Sequence, residues 1–345
     1  MTSALIAFWH KFKKGSKLFS HSNRNSQCTP ARNVCRPDYS GDSLPSVTRE
    51  KQTPELSVGI VIPTLGVNDC LDATLASIAG QSVPAKCVIV IDQSSSQRIE
   101  QICNDGSHAS NVIHVRSHTG ASHARNVGID NLPPGVDIVG FLDDDCTYAE
   151  DCLFQATQYF GTDMVGAISG RLESHQNRLA FGDKDARLNR KTVWTKAIEA
   201  TTFCRMNALQ KVGQFDESLG IGSSTPWQSG EGTDLLLRLM KGGYSVWYTP
   251  SCKVYEHDQR KGPLNSMTLK TRNYARGTGR VYRAHYSLHT CLWQVLRPCI
   301  GAVISFATGN TGKANLRIQS AIGRWEGITL HAFRLPDSIR SPRVY

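Results

Sequence analysis

A chain of 345 residues, 40% of them hydrophobic, can bury the core of one large domain or two ordinary ones. Its formal charge of +10 is uneven: residues 1–54 carry nine Lys/Arg against three Asp/Glu, residues 55–258 sixteen against twenty-four, and residues 259–345 fourteen against two. An acidic middle argues against a nucleic-acid-binding core, which needs a positive face for phosphates, and eleven scattered cysteines with no C-x-x-C pair argue against a disulfide framework or a zinc cage.

The cysteine usage suits a reducing compartment, so the expected location is cytoplasmic. Near the start, Leu5, Ile6, Phe8, Trp9 and Phe12 alternate with Lys11, Lys13, Lys14 and Lys17, a pattern that suits either an interfacial amphipathic helix or a disordered start. Met1–Trp9 is too short for a secretory signal. Residues 20–54 are rich in Ser, Asn, Arg and Pro, and the whole of 1–54 reads as a basic, disordered arm.

From Leu56 the pattern becomes regular. Ser57–Pro63, Cys87–Asp92, Val112–Val115 and Ile138–Leu142 are short apolar runs that read as strands. Asp69–Gly80, Ser96–Asn104 and Ala121–Asn131 between them read as helices. Such a β-α-β-α-β-α-β order predicts a mostly parallel sheet covered by helices on both faces, with ligands at the carboxyl ends of the strands. Asp92 closes the second strand and Asp143, Asp144 and Asp145 close the fourth. Beyond Glu150 the reading gives strands at Met164–Leu172, Ala197–Cys204 and Ser245–Tyr248, and helices at Arg205–Val212 and Asp234–Lys241. Cys291–Ala307 is apolar but interrupted by Arg297-Pro298, and reads as a helix pair that lies on a membrane surface or packs into a core.

Three consecutive carboxylates after a buried strand repel one another unless a cation or hydrogen-bond donors neutralise them. A divalent ion with oxygen ligands, bridging the cluster to a diphosphate, meets that need; a solvated loop that caps the following helix meets it equally well. The triplet alone does not separate the two.

Its neighbours add a resemblance. Val58-Gly59-Ile60-Val61-Ile62-Pro63-Thr64, Val90-Ile91-Asp92-Gln93-Ser94-Ser95, Gly120–Gly128 and Phe141–Asp145 resemble, in order, motifs of the family 2 glycosyltransferases. The likeness continues through Val212–Glu217 and Gly230–Leu235. It implies a GT-A fold, with a nucleotide-sugar-binding half over 55–150, an acceptor-binding and catalytic half over 151–260, and a basic helical region over 261–345. Pro63 and Thr64 would then shape the nucleotide pocket, Asp92 would meet the base or ribose, and Arg125, oriented by Asn126, would pair with a carboxylate or reach the diphosphate. By the family's Asp-x-Asp motif, Asp143 would contact sugar and Asp145 would hold Mn²⁺ or Mg²⁺, with Asp144 between them in the donor site. His257 resembles a downstream histidine that joins the metal or diphosphate.

The sequence departs from the family at Gln93, where a second aspartate is common, and at Gly66, where asparagine is common. Gly232 stands at the second acid of the usual Glu-Asp pair. This leaves Glu231 as the preferred catalytic base and Asp234 as its rival. The expected activity is inverting transfer of a sugar from a nucleotide-sugar donor to a hydroxyl of a carbohydrate or lipid-linked acceptor, in cell-surface polysaccharide or glycolipid synthesis. The competing reading, kept open by Gly232, is a scaffold of the same fold that binds donor without turnover. The basic flanks predict peripheral contact with an anionic membrane and no nucleic-acid partner.

Overall fold

The computed structural model describes residues 56–105, 111–174, 182–257 and 264–333; the arm read over 1–54 lies outside the described residues. Four strands, β1 (Val58–Thr64), β2 (Cys87–Asp92), β3 (Val112–Arg116) and β4 (Ile138–Phe141), run parallel in the order β3-β2-β1-β4. They alternate with helices α1 (Leu71–Ala79), α2 (Arg98–Asn104) and α3 (Ala121–Asp130). Ile60, Val61, Ile62, Ile89, Val90 and Ile91 are fully buried because β1 and β2 are covered on both faces, which is why they read as unbroken apolar runs. Gly128 lets α3 press directly onto Val61 of β1, where a Cβ would overlap the valine.

The second part of the chain reverses direction. β8 (Thr202–Arg205) pairs antiparallel with β4, and β6 (Val165–Ser174) pairs antiparallel with β8. β9 (Ser245–Glu256) then runs parallel to β6, while β5 (Cys146–Tyr148) closes the edge antiparallel to β9 and the short β7 (Ala186–Arg187) also pairs with β9. One nine-stranded mixed sheet therefore spans both parts. Helices α4 (Cys152–Thr157), α5 (Val193–Lys196), α6 (Met206–Val212) and α7 (Glu231–Lys241) complete this part. β9 is longer than the expected Ser245–Tyr248 because the strand resumes after an irregularity opposite Ser169 and Arg171. Pro250 lies in that interruption and has no N–H for a ladder, which hides the second half of the strand from the sequence pattern.

Three long helices follow: α8 (Leu264–His285), α9 (Leu288–Ala307) and α10 (Thr311–Thr329). The expected break at Pro298 does not occur, and α9 is one helix with the proline inside it. Pro298 cannot donate to the carbonyl of Gln294 one turn back, but Arg324 Nη1 donates to that carbonyl at 2.8 Å. A second guanidinium, Arg317 Nη1, reaches the carbonyl of Gly301 and Ser305 Oγ. Backbone carbonyls of α9 thus accept from arginine side chains of α10.

Glu326 of α10 is the hub of the layer. It is 0% exposed and accepts from Arg272 Nη2 at 2.6 Å, Arg272 Nε at 3.0 Å, Arg276 Nε at 2.7 Å and the Phe333 N–H at 2.9 Å. Burial alone would raise its pKa, but the two arginines outweigh it and hold the group at about 2, below the ordinary 4.5. The stabilisation is therefore present above pH 4.5 and lost as pH falls toward about 2. Glu326→Gln leaves two buried guanidinium groups without a counter-charge and is expected to cost about 3–5 kcal/mol. Urea unfolding from pH 7 to pH 3 checks it: the wild type should lose stability on acidification more steeply than the variant, and equal stability at neutral pH would contradict the role.

Candidate functional site

The carboxyl ends of β1, β2 and β4 meet at one edge, the end of an open parallel sheet at which ligands bind as a rule. Thr64 and Asp92 are paired in register across β1 and β2, with Pro63, half-buried, one step before. Just past β4, the Asp143-Asp144-Asp145 turn divides into three environments.

Asp144 points into the protein. Its two oxygens accept from Thr64 Oγ1 at 2.5 Å and Asn68 Nδ2 at 2.8 Å, while its carbonyl accepts from Thr74 Oγ1 at 3.2 Å. Burial, more than the nearby Asp143, raises its pKa against these hydrogen bonds. Asp144 is a fastener between β1, α1 and the turn, and the expected pocket residue Thr64 is its partner. Asn68 does this two residues beyond Gly66, the position where asparagine was missing.

Asp92 is also engaged internally. Its carboxylate accepts from the Ser94 N–H at 2.8 Å, lies 3.0 Å from His114 Nε2 and pairs with Arg116 at 3.5 Å. Burial opposes the charge, yet Ser94, His114 and Arg116 hold the carboxyl below its ordinary range. Gln93, the other departure, donates to the carbonyls of His118 and Gly120 and ties this strand end to the start of α3.

Asp143 faces outward, its side chain 41% exposed, and accepts from Arg125 Nη2 at 3.1 Å. The other arm of the Arg125 guanidinium, Nη1, donates to Glu231 Oε1 at 3.3 Å. Arg125 itself is buried. Burial works against its charge, but Asp143, Glu231 and Glu199 outweigh it and raise its pKa further. Arg125 therefore pairs with two carboxylates, one from each part of the sheet. Asn126, expected to orient it, instead holds the backbone of Phe215 and Glu217 Oε1.

Glu231 begins α7 after Gly230, whose φ of +91° turns the chain sharply into the helix. Next to it, the Gly232 N–H donates to Glu199 Oε1 at 3.2 Å. Glu199 stands in a one-turn helix, residues 199–201, immediately before β8. Burial first, then the charge of Glu231, raises its pKa to about 7 against the pull of Arg125. From α8, the phenol of Tyr274 is pushed up by burial and by the charges of Glu231, Glu199 and Asp143. Glu199 was missed from sequence; the available signal was a lone carboxylate inside the apolar run Ala197–Cys204.

Asp234 does not join this group. Its oxygens lie 2.7 Å from Arg238 Nε and 2.6 Å from His285 Nε2, and these partners hold its pKa low in spite of burial. It fastens α7 to α8.

Asp145 and His257 come together through the sheet. Cys146 pairs with Glu256, so Asp145 lies opposite His257, and the His257 N–H donates to the Asp145 carbonyl at 2.9 Å. Burial, then Asp143, Asp144 and Glu256, raises the Asp145 carboxyl to about 6. His257 Nε2 is buried and makes no hydrogen bond. Among the described residues no group of three or more His, Cys, Asp or Glu is arranged to hold a metal ion by itself. A carboxylate beside an imidazole with an uncommitted nitrogen nonetheless fits an Mn²⁺ or Mg²⁺ whose remaining ligands come from a diphosphate and water.

The family model described as Glycosyl transferase family 2 matches residues 59–212. A curated relative, the Pre-mycofactocin glycosyltransferase of Mycobacterium tuberculosis, is 28% identical over 217 residues, which is 59% of this chain and 43% of the relative. The chain therefore spans less than half the length of that relative. Among solved structures, the mannosyltransferase PcManGT from Pyrobaculum calidifontis in complex with GDP-Man and Mn²⁺ superposes with a TM-score of 0.51 at 15% identity, covering 78% of this chain and 86% of that one. S. aureus TarS 1–349 in complex with UDP-GlcNAc gives 0.50 at 14% identity, covering 81% and 93%. These likenesses establish a GT-A-like α/β fold, with a mostly parallel mixed sheet flanked by helices.

The fastening role of Asp144 is open to a direct check. Thr64→Val removes one of the donors to a buried carboxylate and is expected to destabilise the chain by about 1–3 kcal/mol in urea unfolding. An unchanged midpoint would show that the Thr64–Asp144 contact is dispensable.

Proposed function

Residues 59–212 form a glycosyl transferase family 2 domain, and on that premise we propose that the chain is a metal-dependent, inverting glycosyltransferase. It would take a sugar from a nucleotide-sugar donor and place it on a hydroxyl of a carbohydrate or lipid-linked acceptor, in cell-surface polysaccharide or glycolipid synthesis. The observation that carries this reading is the division of labour in the Asp turn. Asp144 is spent on the fold and Asp143 on Arg125, while Asp145 stands beside the unpartnered His257 Nε2.

In this reading residues 55–150 are the donor half and residues 151–260 the acceptor half. Asp145 and His257 would hold Mn²⁺ or Mg²⁺, which when bound neutralises the charge of the departing nucleoside diphosphate. Arg125 keeps Asp143 and Glu231 in place across the two halves. The acceptor hydroxyl attacks the anomeric carbon from the face opposite the diphosphate. A C–O bond forms, the bond to the β-phosphate oxygen breaks with its electron pair, and the proton passes to one of the carboxylates gathered around the head of α7, Glu231 or Glu199. Asp234 is unsuited to that step because its oxygens are committed to Arg238 and His285.

Localisation belongs to the same proposal. The outer side of α9 exposes Leu288, Leu292, Leu296, Ile300 and Val303, spaced three or four residues apart on one face, with Phe306 71% exposed at its end. The helix is long and apolar enough to cross a membrane, yet only 28% of its most apolar window is buried. An exposed apolar stripe within a region of fourteen basic and two acidic residues fits peripheral binding to anionic lipid.

Three measurements test this reading. Incubating the full chain and Mn²⁺ with GDP-mannose, UDP-GlcNAc and UDP-glucose should release nucleoside diphosphate from one donor. Asp145→Asn should lose the Mn²⁺-stimulated part of GDP or UDP binding in a titration, and retention of that stimulation would remove Asp145 from the metal site. In vesicle sedimentation the chain should partition onto phosphatidylserine-containing vesicles far better than onto neutral ones at low salt, and Leu296→Asp with Ile300→Asp should weaken it. Equal partitioning onto both vesicle types would contradict the electrostatic part.

A further inference from the structure

Gly232 removes the carboxylate that the Glu-Asp pattern would place at the second position of α7, yet the space is not empty. A Cβ built on Gly232 would lie 2.5 Å from Glu199 Oε1 and 2.7 Å from its Cδ, and it would also overlap Cγ. A side chain at 232 and the Glu199 carboxyl therefore compete for one volume. The Gly232 N–H donates to Glu199 Oε1, which fixes the carboxylate there. We propose that Glu199 is the catalytic base, a carboxylate supplied from the turn before β8 into the place an acid at 232 would have filled.

This inference rests on the proposed glycosyl transfer and names the group that takes the hydroxyl proton in it. Several observations converge on Glu199 rather than Glu231. Glu231 is buried, its side chain 10% exposed, with Oε1 on the Arg125 guanidinium. Glu199 has one oxygen anchored by a backbone N–H, and a carboxylate has lone pairs for further donors, so an acceptor hydroxyl can join without displacing an ion pair. It is partly exposed, although it lies among Glu231, Arg125 and Asp143. Its pKa of about 7 suits a group that must accept a proton near neutrality and release it to solvent afterwards. Glu231 then becomes a positioning residue, whose charge helps to hold Arg125 in place and to keep the neighbouring Glu199 basic.

The swap makes a specific demand on sequence: an acid can sit at 232 only if the Glu199 side chain leaves the volume it now holds. Gly232→Asp alone would drive the new side chain into Glu199. With Glu199→Gly the volume is free, and an aspartate at 232 can reach the same place from the helix.

The experiment measures nucleoside diphosphate release from GDP-mannose, UDP-GlcNAc and UDP-glucose with Mn²⁺, with water as acceptor, for the full chain. Four variants are compared: Glu199→Gln, Glu199→Gly, Glu199→Gly with Gly232→Asp, and Glu231→Gln. GDP and UDP affinity is read in parallel. Glu199→Gln is nearly isosteric and should lower turnover by roughly 10²-fold or more with nucleotide affinity unchanged. Glu199→Gly should fall as far, and adding Gly232→Asp should recover at least about tenfold, a rescue that a purely structural role for Glu199 would not give. If the wild type turns over and Glu199→Gln keeps its rate, the assignment to Glu199 is overturned while glycosyl transfer stands. The same holds if Glu231→Gln alone abolishes turnover with binding intact. A wild type that binds GDP or UDP with Mn²⁺ but releases nothing from any donor overturns the glycosyl-transfer reading, and this assignment with it.

Discussion

The structure is organised around one buried guanidinium in a crowd of carboxylates. Arg125 is the cation that Asp143 and Glu231 pair with, and Glu199 lies within its field, while Asp144 and Asp145 follow on the same turn. Like charges this close raise one another's pKa, and the upward shifts of Asp144, Asp145 and Glu199 record that pressure together with burial. The fold relieves the pressure at three places by different means: hydrogen bonds from Thr64 and Asn68 to Asp144, the ion pairs of Arg125, and a backbone N–H to Glu199. Asp145 has only the weak thiol donor of Cys146, and His257 Nε2, across the sheet edge from it, makes no hydrogen bond. In the proposed reading, a divalent cation and the diphosphate it carries would supply what is missing.

The reversal of the sheet after β4 assembles these groups. Parallel pairing from β3 to β4 brings Thr64, Asp92 and the Asp turn to one edge, as expected for an open α/β sheet. The antiparallel return through β8 places Glu199 beside that edge, and β5 on β9 sets His257 across from Asp145. α8 then closes the far side, holding Asp234 through His285 and bringing Tyr274 into the field of the acids. The groups proposed to bind substrate and accept the proton thus come from distant stretches of sequence that the mixed sheet joins.

The parallel half was legible in the sequence because strands covered on both faces must be apolar throughout, and Cys87–Asp92 emerges with the bounds expected of it. The return half was less so. β5 is three residues long, and β9 passes through an interruption containing Pro250, so neither has a period to read. At the site, the sequence marked the Asp turn, Arg125, Glu231 and His257, but it could not divide their labour. Asp144 and Asp92 looked like ligand contacts and are bonded internally, because their partners Thr64, Asn68 and His114 are fixed by strand pairing that composition does not show. Glu199 escaped notice for the same reason: its partner, Gly232, lies 33 residues away. The C-terminal layer was legible as a basic helical region, but its hub was not, since a buried carboxylate serving two arginines looks from sequence like a single acid among many bases.

That layer also presents the apolar stripe of α9 on the outside of the molecule, so the acid-rich edge and the exposed apolar stripe belong to one chain in which α8 touches both α7 and α10. Such an arrangement suits an enzyme that takes its donor from solution and delivers sugar near a membrane surface. The central claim is that the acid-rich edge is a donor-diphosphate site completed by a metal ion on Asp145 and His257. Pulsed electron paramagnetic resonance of Mn²⁺ bound to the full chain with GDP or UDP tests it most directly. Both a phosphorus coupling from the nucleotide and a nitrogen coupling that disappears in His257→Ala are expected. Mn²⁺ bound with neither coupling, or with a nitrogen coupling that survives that substitution, would contradict it.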